Sequence, residues 1–267
     1  MSTLSDFLVQ RTVAFEARLR AWGHVARFAG AAARGMVSPA TYNSATREVI
    51  ARQIYFTAWQ ILGGYTAFAA VLSLVVTQIL AATARDFGLY DYALEFTFRL
   101  LVLEIVPLLT ALFVALRTGA AISTEVSIMR IRNETGAMER LGIDPMKLEL
   151  IPRVIGGTVS VLSLTVVGVV VSVLCAHFVV TGFRPWHAPS ADLQLVVAKV
   201  FDGLSMTLLW GKALLFGLAV TIIPIAEAIN APRQVFYAPI AVLHGMVRLF
   251  FVIMLIEVGA LVLRYVV

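Results

Sequence analysis

The sequence predicts an all-α integral membrane protein, and its composition and the pattern of its apolar segments support this fold class. Hydrophobic residues make up 60% of the 267 residues and charged residues only 14%, whereas soluble domains carry about 25% charged residues. The mean hydropathy is +0.89. Several apolar stretches reach the roughly 20 residues that a helix needs to cross a bilayer. We therefore expect an interfacial helix, five transmembrane helices and a short helix at the cytoplasmic surface.

Residues 1–52 predict an interfacial amphipathic helix followed by a linker. Between residues 5 and 35, apolar side chains recur every three or four residues and form a stripe that includes Trp22. Arg27 and Arg34 lie outside this stripe. An apolar face with arginines elsewhere is typical of a helix among lipid headgroups. A solvated helix packed on a partner protein is the alternative.

Residues 53–267 are predicted to form one membrane domain. Its five spans are expected at or within residues 54–84, 93–116, 154–182, 193–226 and 238–266. Arginine and lysine are concentrated before the first span and between the second and third. Basic residues near spans favour the cytoplasmic side. We therefore expect a cytoplasmic N-terminus and a C-terminus on the opposite side of the membrane.

Four residues inside the predicted spans are candidates for a functional role. Glu104 and Pro107 lie in the second span, and Arg248 and Glu257 lie in the fifth. A charged side chain at that depth is costly and normally faces protein or a wet cavity. Pro107 lacks a backbone N–H and can kink its helix. Glu104 has two interpretations: a functional carboxylate, or a structural one paired with Arg99 or with a residue on another helix.

The segment between the second and third spans predicts a helix, a tight corner and a second helix. Residues 117–147 are rich in charge and are expected to form the first helix. Gly142 is suited to end it in the left-handed conformation. Asp144 is expected to cap the next helix, with Pro145 in its first position. A short polar helix between two spans is typical of a contact point for a cytoplasmic partner.

Sequence motifs for catalysis are missing. The chain has no G-x-x-x-x-G-K-[ST] loop, no H-E-x-x-H, no G-x-S-x-G and only one cysteine. We therefore expect no enzyme activity, no metal, no cofactor and no nucleic-acid partner for this chain. Intramembrane charges leave open a stand-alone proton-coupled carrier that uses Glu104, Arg248 and Glu257. No paired half-chain repeat of the kind seen in many secondary transporters is found. A membrane scaffold is a third hypothesis.

One stretch, residues 104–153, carries a specific family pattern. The pattern runs E-[LI]-G-P-V-L-T-A-L, then R-x-G-[SA]-A-I-x-x-E-x-G-x-M, then E-Q-[IL]-x-A-[LM]-E-x-M-G-[IV]-D-P and P-R. The matching residues are Glu104, Pro107, Leu109 to Leu112, Arg117, Gly119, Ala121, Ile122, Glu125, Met129, Glu134, Ala137, Met138, Glu139, Gly142, Ile143, Asp144, Pro145, Pro152 and Arg153. On these residues the chain resembles the MlaE/YrbE family of ABC transporter permeases, the membrane subunits of lipid transporters built around MCE proteins.

The chain departs from the family pattern at a few positions. Val106 stands where the family has glycine, and Ser127 and Ile128 replace the usual glycine before Met129. Gly136 replaces a better helix former, and Glu257 stands where the family often has aspartate. These departures affect the expected cargo and direction of transport more than the expected contact with a partner.

The resemblance implies a homodimeric permease of the cell inner membrane that moves phospholipid or a similar lipid between inner and outer membranes. Glu104, Pro107, Arg248 and Glu257 are its substrate-cavity candidates. The N-terminus would be cytoplasmic and the C-terminus periplasmic.

The resemblance also implies partners. Residues of about 125–145 would form a coupling helix that docks in a cytoplasmic ABC ATPase, which would bind ATP and Mg²⁺. The expected docking residues are Glu134, Ala137, Met138, Glu139, Gly142, Asp144 and Pro145. A periplasmic MCE-domain protein and a STAS-domain regulator are the further expected partners.

Overall fold

The computed structural model describes residues 22–87, 90–180 and 191–266. These residues fold as α-helices with short connections, and no strand occurs among them. The helices are α1 (22–37), α2 (Ser44–Ile54), α3 (Gln60–Asp86), α4 (Tyr90–Leu100), α5 (Val106–Val114), α6 (Ala120–Ile131), α7 (Glu134–Arg140), α8 (Ile151–Val180), α9 (Ala191–Val200), α10 (Gly203–Asn230) and α11 (Ala238–Val266). The prediction of an all-α fold is confirmed.

Five helical segments are long and apolar enough to cross a membrane, as predicted. By length and composition they are Ser44–Thr83, Glu95–Ile131, Met146–Val179, Gly203–Asn230 and Val235–Arg264. We number them spans 1 to 5 in this order. Span 2 extends well past its predicted end at residue 116, because the helix continues through a polar stretch whose charged side chains line a cavity rather than face lipid.

Wide π-helical turns join shorter helices into continuous spans. Tyr55–Trp59 joins α2 to α3, and Met146–Leu150 leads into α8. Span 2 contains two such turns, Leu101–Ile105 and Ala115–Gly119. A π-turn bonds each N–H to the carbonyl five residues earlier, so it changes the direction in which later side chains point without ending the helix.

The prediction of one charged helix over residues 117–147, and of a coupling helix at about 125–145, is wrong in its bounds. The first helix is the end of span 2 and stops at Ile131. Asn133 then adopts a left-handed conformation, with φ of 57°. The chain restarts as the separate seven-residue helix α7. Asparagine tolerates positive φ better than most residues, which explains the break at this position.

Span 4 is the centre of the bundle. Within its most apolar window, 67% of the residues are buried, against 17% for span 5. Its core side chains include Phe216, Val220 and Ile223. A Cβ atom added to Gly217 would lie 2.9 Å from the Cα atom of Thr158 on α8. Small residues allow such close approach of helix backbones in membranes.

Helix α1 packs on this bundle through one face. Val25, Phe28 and Ala32 are buried in the main core, whereas Arg27 and Arg34 are exposed or at the surface. The amphipathic pattern predicted for this region is therefore present over residues 22–37. The earlier part of the predicted helix, residues 5–21, lies outside the described residues.

A second, smaller core lies at the opposite end of the bundle from α7. Its buried residues are Phe98, Val102, Leu103, Ala176, Val200 and Leu209. Glu95 on α4 accepts hydrogen bonds from Arg99, at 3.0 Å, and from Lys199 on α9, at 2.5 Å. Arg99 is thus paired with Glu95, one turn away, so of the two partners proposed for Glu104 it is the one on another helix that the structure provides.

Candidate functional site

Lys212 is the centre of a buried cluster of charged side chains between spans 2, 4 and 5. Its side chain is only 3% exposed. Its Nζ atom donates to Glu104 Oε2 at 2.5 Å, to Glu257 Oε1 at 2.8 Å and to the Leu103 carbonyl at 3.2 Å. An ammonium group has three hydrogens to donate, so these three acceptors satisfy it fully.

Arg264 completes the cluster from the end of α11. Its Nη1 atom donates to Glu104 Oε1 at 2.8 Å, and its side chain is 9% exposed. Each oxygen of Glu104 therefore faces a different cation. Two carboxylates and two cations make the cluster formally neutral, which offsets much of the cost of burying charge.

The π-turn in span 2 provides part of the geometry. Leu103 and Glu104 both lie in the turn Leu101–Ile105, and both contact Lys212. Pro107 is buried in the first turn of α5, directly after this π-turn. Its missing N–H causes little loss at a point where the regular hydrogen-bond pattern is already changed. The π-turn therefore places the Leu103 carbonyl and the Glu104 carboxylate within hydrogen-bond distance of the same lysine.

The cluster is closed in this conformation of the chain. The cavity beside it measures about 10 Å³ and is lined by Leu103, Glu104, Ser205, Leu208, Leu209, Lys212, Ala260 and Arg264. That volume holds about one water molecule. Any larger ligand could therefore enter only if the surrounding helices separate.

Arg248 does not belong to this cluster. It donates a hydrogen bond to Glu227, and the two side chains are 20% and 13% exposed. Arg248 lies nine residues before Glu257 on α11, which corresponds to about 13 Å along a helix axis. The structure therefore brings together Glu104 and Glu257, as two of the predicted cavity residues, and places Arg248 with a different partner.

Sequence reasoning missed Lys212 and Arg264 as site residues. The predicted span 193–226 left two interpretations of Lys212, a position near a span end or a side chain that faces protein, and the structure shows the second. The structure breaks this segment at Phe201 and Asp202, which places Lys212 nine residues inside α10. Asp202 was the available signal, because its carboxylate caps α10 by accepting a hydrogen bond from the Ser205 N–H at 3.1 Å.

The corner after α7 has the predicted backbone geometry. Gly142 has φ of 74°, and its N–H bonds to the Glu139 carbonyl. The Ile143 N–H bonds to the Met138 carbonyl at 2.9 Å. This pair of bonds is the Schellman arrangement that ends a helix at a left-handed glycine. Asp144 Oδ1 then accepts from the Met146 N–H at 2.9 Å, so the predicted cap of the next helix is confirmed.

The predicted docking residues lie together on an exposed element. None of the residues of α7 is buried, and Leu141 and Ile143 just beyond it are 76% and 40% exposed. Exposed apolar side chains beside charged ones are typical of a protein contact surface. On the other side of α7, Arg130 at the end of span 2 donates to the Ala231 carbonyl at 3.3 Å in the connection between spans 4 and 5.

Comparison with known proteins gives the family. A sequence model of the family described as Permease MlaE matches residues 50–263. A probable ABC transporter permease protein of Rickettsia felis is 27% identical over 191 residues, covering 66% of this chain and 65% of the relative. The chain thus spans slightly less than two thirds of that relative's length.

Two further relatives carry related descriptions. The intermembrane phospholipid transport system permease protein MlaE of Haemophilus influenzae is 26% identical over 153 residues, or 52% of this chain and 58% of the relative. A probable ABC transporter permease protein of Synechocystis is 28% identical over 128 residues, or 45% of each chain. Because the family model covers most of the chain, the chain belongs to the MlaE permease family.

Proposed function

We propose that the chain is the membrane-spanning permease subunit of an ABC transporter that moves phospholipid or a similar lipid between inner and outer membranes. Membership of the MlaE family and the descriptions of the relatives support this proposal. ATP and Mg²⁺ would bind to a separate ATPase subunit, and this chain would carry out no catalysis. Its place would be the cell inner membrane, with the N-terminus cytoplasmic and the C-terminus periplasmic.

The observation that carries the proposal is the position of α7 at the surface between two spans and the way its two ends are fixed. None of its residues is buried, yet it is held between spans 2 and 3 by left-handed residues at both ends, Asn133 and Gly142. A rigid surface element between two spans can transmit a push from a soluble partner into the membrane. We assign docking of the ATPase to α7 and its corner, through Glu134, Ala137, Met138, Glu139, Gly142, Asp144 and Pro145.

The buried cluster around Lys212 supports a polar, amphiphilic cargo. A phosphodiester group has the same charge as the carboxylates that Lys212 and Arg264 already bind, so a lipid phosphate can replace them as a partner. Glu104 and Glu257 would then hold the cations in place between transport cycles. Movement of span 5 relative to span 4 would open the cluster.

A second copy of the chain is part of the proposal. Span 5 carries exposed apolar side chains at helical spacing, namely Val247, Phe251, Leu255, Val258 and Val262. This stripe suits packing against the same helix of a second copy, which gives a homodimer with the cargo path between the two chains. An MCE-domain protein on the periplasmic side and a STAS-domain regulator on the ATPase complete the proposed assembly.

The test is purification of the tagged chain from its native host in mild detergent, with mass spectrometry of all retained proteins and lipids. We expect an ABC ATPase, an MCE-domain protein and bound phospholipid. In a parallel purification, Glu139→Lys reverses an exposed charge on α7 and should release the ATPase. Glu48→Lys reverses an exposed charge on α2 and should retain it. Retention of the ATPase by Glu139→Lys would show that α7 is not the docking element.

A stand-alone proton-coupled carrier is the second candidate function, favoured by the two buried carboxylates that share Lys212. Glu104→Gln separates the two candidates. If the chain is a proton-coupled carrier, the parent chain should transport in proteoliposomes without ATP, and Glu104→Gln should lose all activity. An ATP-driven permease should show no transport without ATP, and Glu104→Gln should retain part of the ATP-dependent lipid transfer.

A further inference from the structure

A large cavity lies at the α7 end of the bundle, far from the Lys212 cluster. It measures about 640 Å³, is open on one side, and is lined by the start of span 1, the second half of span 2, α7 and the start of span 3. Arg117 on its wall lies 13 residues after Glu104, which corresponds to about 20 Å along a helix. The cavity is therefore separate from the buried cluster.

The walls of the cavity carry an excess of positive charge. Its charged lining residues are Arg52, Arg117, Glu125, Arg132, Glu134, Glu149 and Arg153. Arg153 pairs with Glu149 at 3.1 Å and with Glu125 at 3.7 Å, and Arg132 lies 3.8 Å from Glu134. The three glutamates therefore form their ion pairs with only two of the four arginines. Among the described residues, Arg52 and Arg117 have no carboxylate partner.

Neutral groups hold these two arginines in position. Arg117 donates from Nη1 to the Phe56 carbonyl at 3.1 Å and from Nη2 to Gln60 Oε1 at 2.9 Å. The guanidinium carbon of Arg52 lies 5.7 Å from the centre of the Phe56 ring. A guanidinium has five N–H donors, so most donors of both arginines stay available. Fixed guanidinium groups without counter-charge are the usual partners of phosphate oxygens.

Exposed apolar side chains neighbour the lining residues Phe56 and Arg117 in the sequence, and we call these side chains the rim. Tyr55, Phe56 and Trp59 are 54%, 46% and 67% exposed, and Leu116, next to Arg117, is 74% exposed. Aromatic side chains in this position are typical of the interface between lipid headgroups and acyl chains. A soluble anion makes no use of such a rim, whereas a lipid places its phosphate on the arginines and its chains along the aromatic face.

We propose that this cavity binds the phosphate group of an anionic phospholipid from the leaflet on the α7 side, with Arg52 and Arg117 as its phosphate ligands. The site is a second lipid site, distinct from the proposed cargo position at Lys212. Binding here needs neither ATP nor the ATPase. Its detection is therefore independent of whether the chain transports lipid.

The test uses the full chain in phosphatidylcholine nanodiscs that contain a small fraction of brominated phosphatidylglycerol. Bromine quenches nearby tryptophan, and the sequence has four tryptophans. Trp22, Trp186 and Trp210 are replaced by Phe, so that Trp59, about one turn after the lining residue Phe56, is the only reporter. We expect quenching well above that given by the bulk lipid fraction. Arg52→Gln with Arg117→Gln should weaken the apparent lipid affinity by about tenfold.

Two controls make the result specific. Arg34→Gln with Arg47→Gln removes the same charge from positions outside the cavity and should leave the quenching unchanged. Arg52→Gln alone removes an exposed side chain and covers the case in which the double variant does not fold. It should lower the affinity by a smaller factor.

The alternatives give different results. Inorganic phosphate added to the nanodiscs should not reverse the quenching, since it cannot use the aromatic rim. Reversal by phosphate would assign the arginines to a free anion instead. Quenching at the bulk level in the parent chain, or an equal loss in the Arg34 and Arg47 control, would overturn the site. A second protein that occupies the site would keep brominated lipid away from Trp59, so the quenching in the parent chain would fall below the bulk level.

Discussion

Lys212 Nζ and Glu104 Oε2 lie 2.5 Å apart, although the two residues are separated by 108 positions in the sequence. Their pairing fixes the position of span 4 along span 2, because a shift of either helix along its axis would separate the two charged groups. Glu257 and Arg264 extend the same lock to span 5. The position of three spans relative to one another thus depends on one buried cluster.

Replacing Lys212 by Met should destabilise the protein strongly. Two carboxylates would lose their shared cation in a nearly solvent-free site, and leaving a buried charge unpaired costs about 3–5 kcal/mol. The measurement is thermal unfolding in detergent. Lys199→Met is the matched control, because Lys199 also lies 2.5 Å from a carboxylate but is 63% exposed, and exposed pairs contribute at most about 1 kcal/mol.

A second substitution checks the cause of this loss. Glu257→Gln, added to Lys212→Met, removes the charge of the carboxylate that has lost its cation, whereas Glu104 keeps Arg264, and the double variant should regain part of the stability. If the double variant is less stable than Lys212→Met, packing rather than charge holds the cluster together.

The pair Arg248 and Glu227 should behave as a separate unit. Arg248→Leu leaves Glu227 without its partner and should cost roughly 2–4 kcal/mol. Its effect should add to that of Lys212→Met within about 0.5 kcal/mol, as expected for distant sites. Exchanging the two residues, as Arg248→Glu with Glu227→Arg, should recover much of the loss. Strong non-additivity in the unfolding data would place all of these charges in one network.

Two glycines in α10 should respond in opposite ways to alanine. At Gly217 an added Cβ would lie 2.9 Å from the Thr158 Cα atom, so Gly217→Ala must push α8 and α10 apart and should lower the unfolding temperature. At Gly211 nothing lies within 4 Å of the added atom. There alanine should be neutral or stabilising, by up to about 1 kcal/mol from helix propensity. A similar change at both positions would contradict the close contact of the two helices.

Gly142 should tolerate asparagine but not valine. Its φ of 74° is a conformation that asparagine adopts readily and that costs other residues about 1–2 kcal/mol. Gly142→Val should loosen the end of α7, seen as faster amide hydrogen exchange over residues 137–143, whereas Gly142→Asn should exchange like the parent chain. Equal exchange in both variants would mean that the corner does not depend on the left-handed residue.

The first turn of α10 should depend on pH through Asp202. Hydrogen bonds from the Ser205 hydroxyl and N–H lower the pKa of Asp202 from its ordinary value. A lowered pKa means that the cap is fully present above the unfolded pKa of about 3.9 and is lost as the pH falls through the folded value. Amide exchange in the first turn should therefore quicken only in this acidic range. Asp202→Asn keeps the cap and should remove this pH dependence.

The sequence allowed prediction of the fold class, the five spans, the amphipathic face of α1 and the corner at Gly142 and Asp144. These features follow from local patterns: apolar length, helical periodicity and the backbone preference of single residues. The roles assigned to the docking and cavity residues stay predictions. Glu104 and Glu257 were identified individually because a charge within an apolar span is conspicuous by itself.

Their shared partner was not predictable in the same way. Nothing in the sequence around Lys212 identifies its partners, and Arg264 lies near the end of the last predicted span. The pairing also depends on how spans 2, 4 and 5 pack, which no local pattern determines. The C-terminal end of span 2 was predicted too early, at residue 116, for a related reason. Polar residues such as Arg117 line a cavity, and hydropathy alone places them outside the span.

The wide turn at Leu101–Ile105 has a consequence for anyone who aligns or shortens this chain. One residue adds about 100° of rotation in an α-helix, and a π-turn is a place where a single inserted residue can be absorbed. Deleting one residue there would turn the α4 half of span 2 by about that angle relative to α5. A comparison without gaps would therefore pair unlike positions on one side of Glu104 whenever the other chain has one residue fewer in this turn.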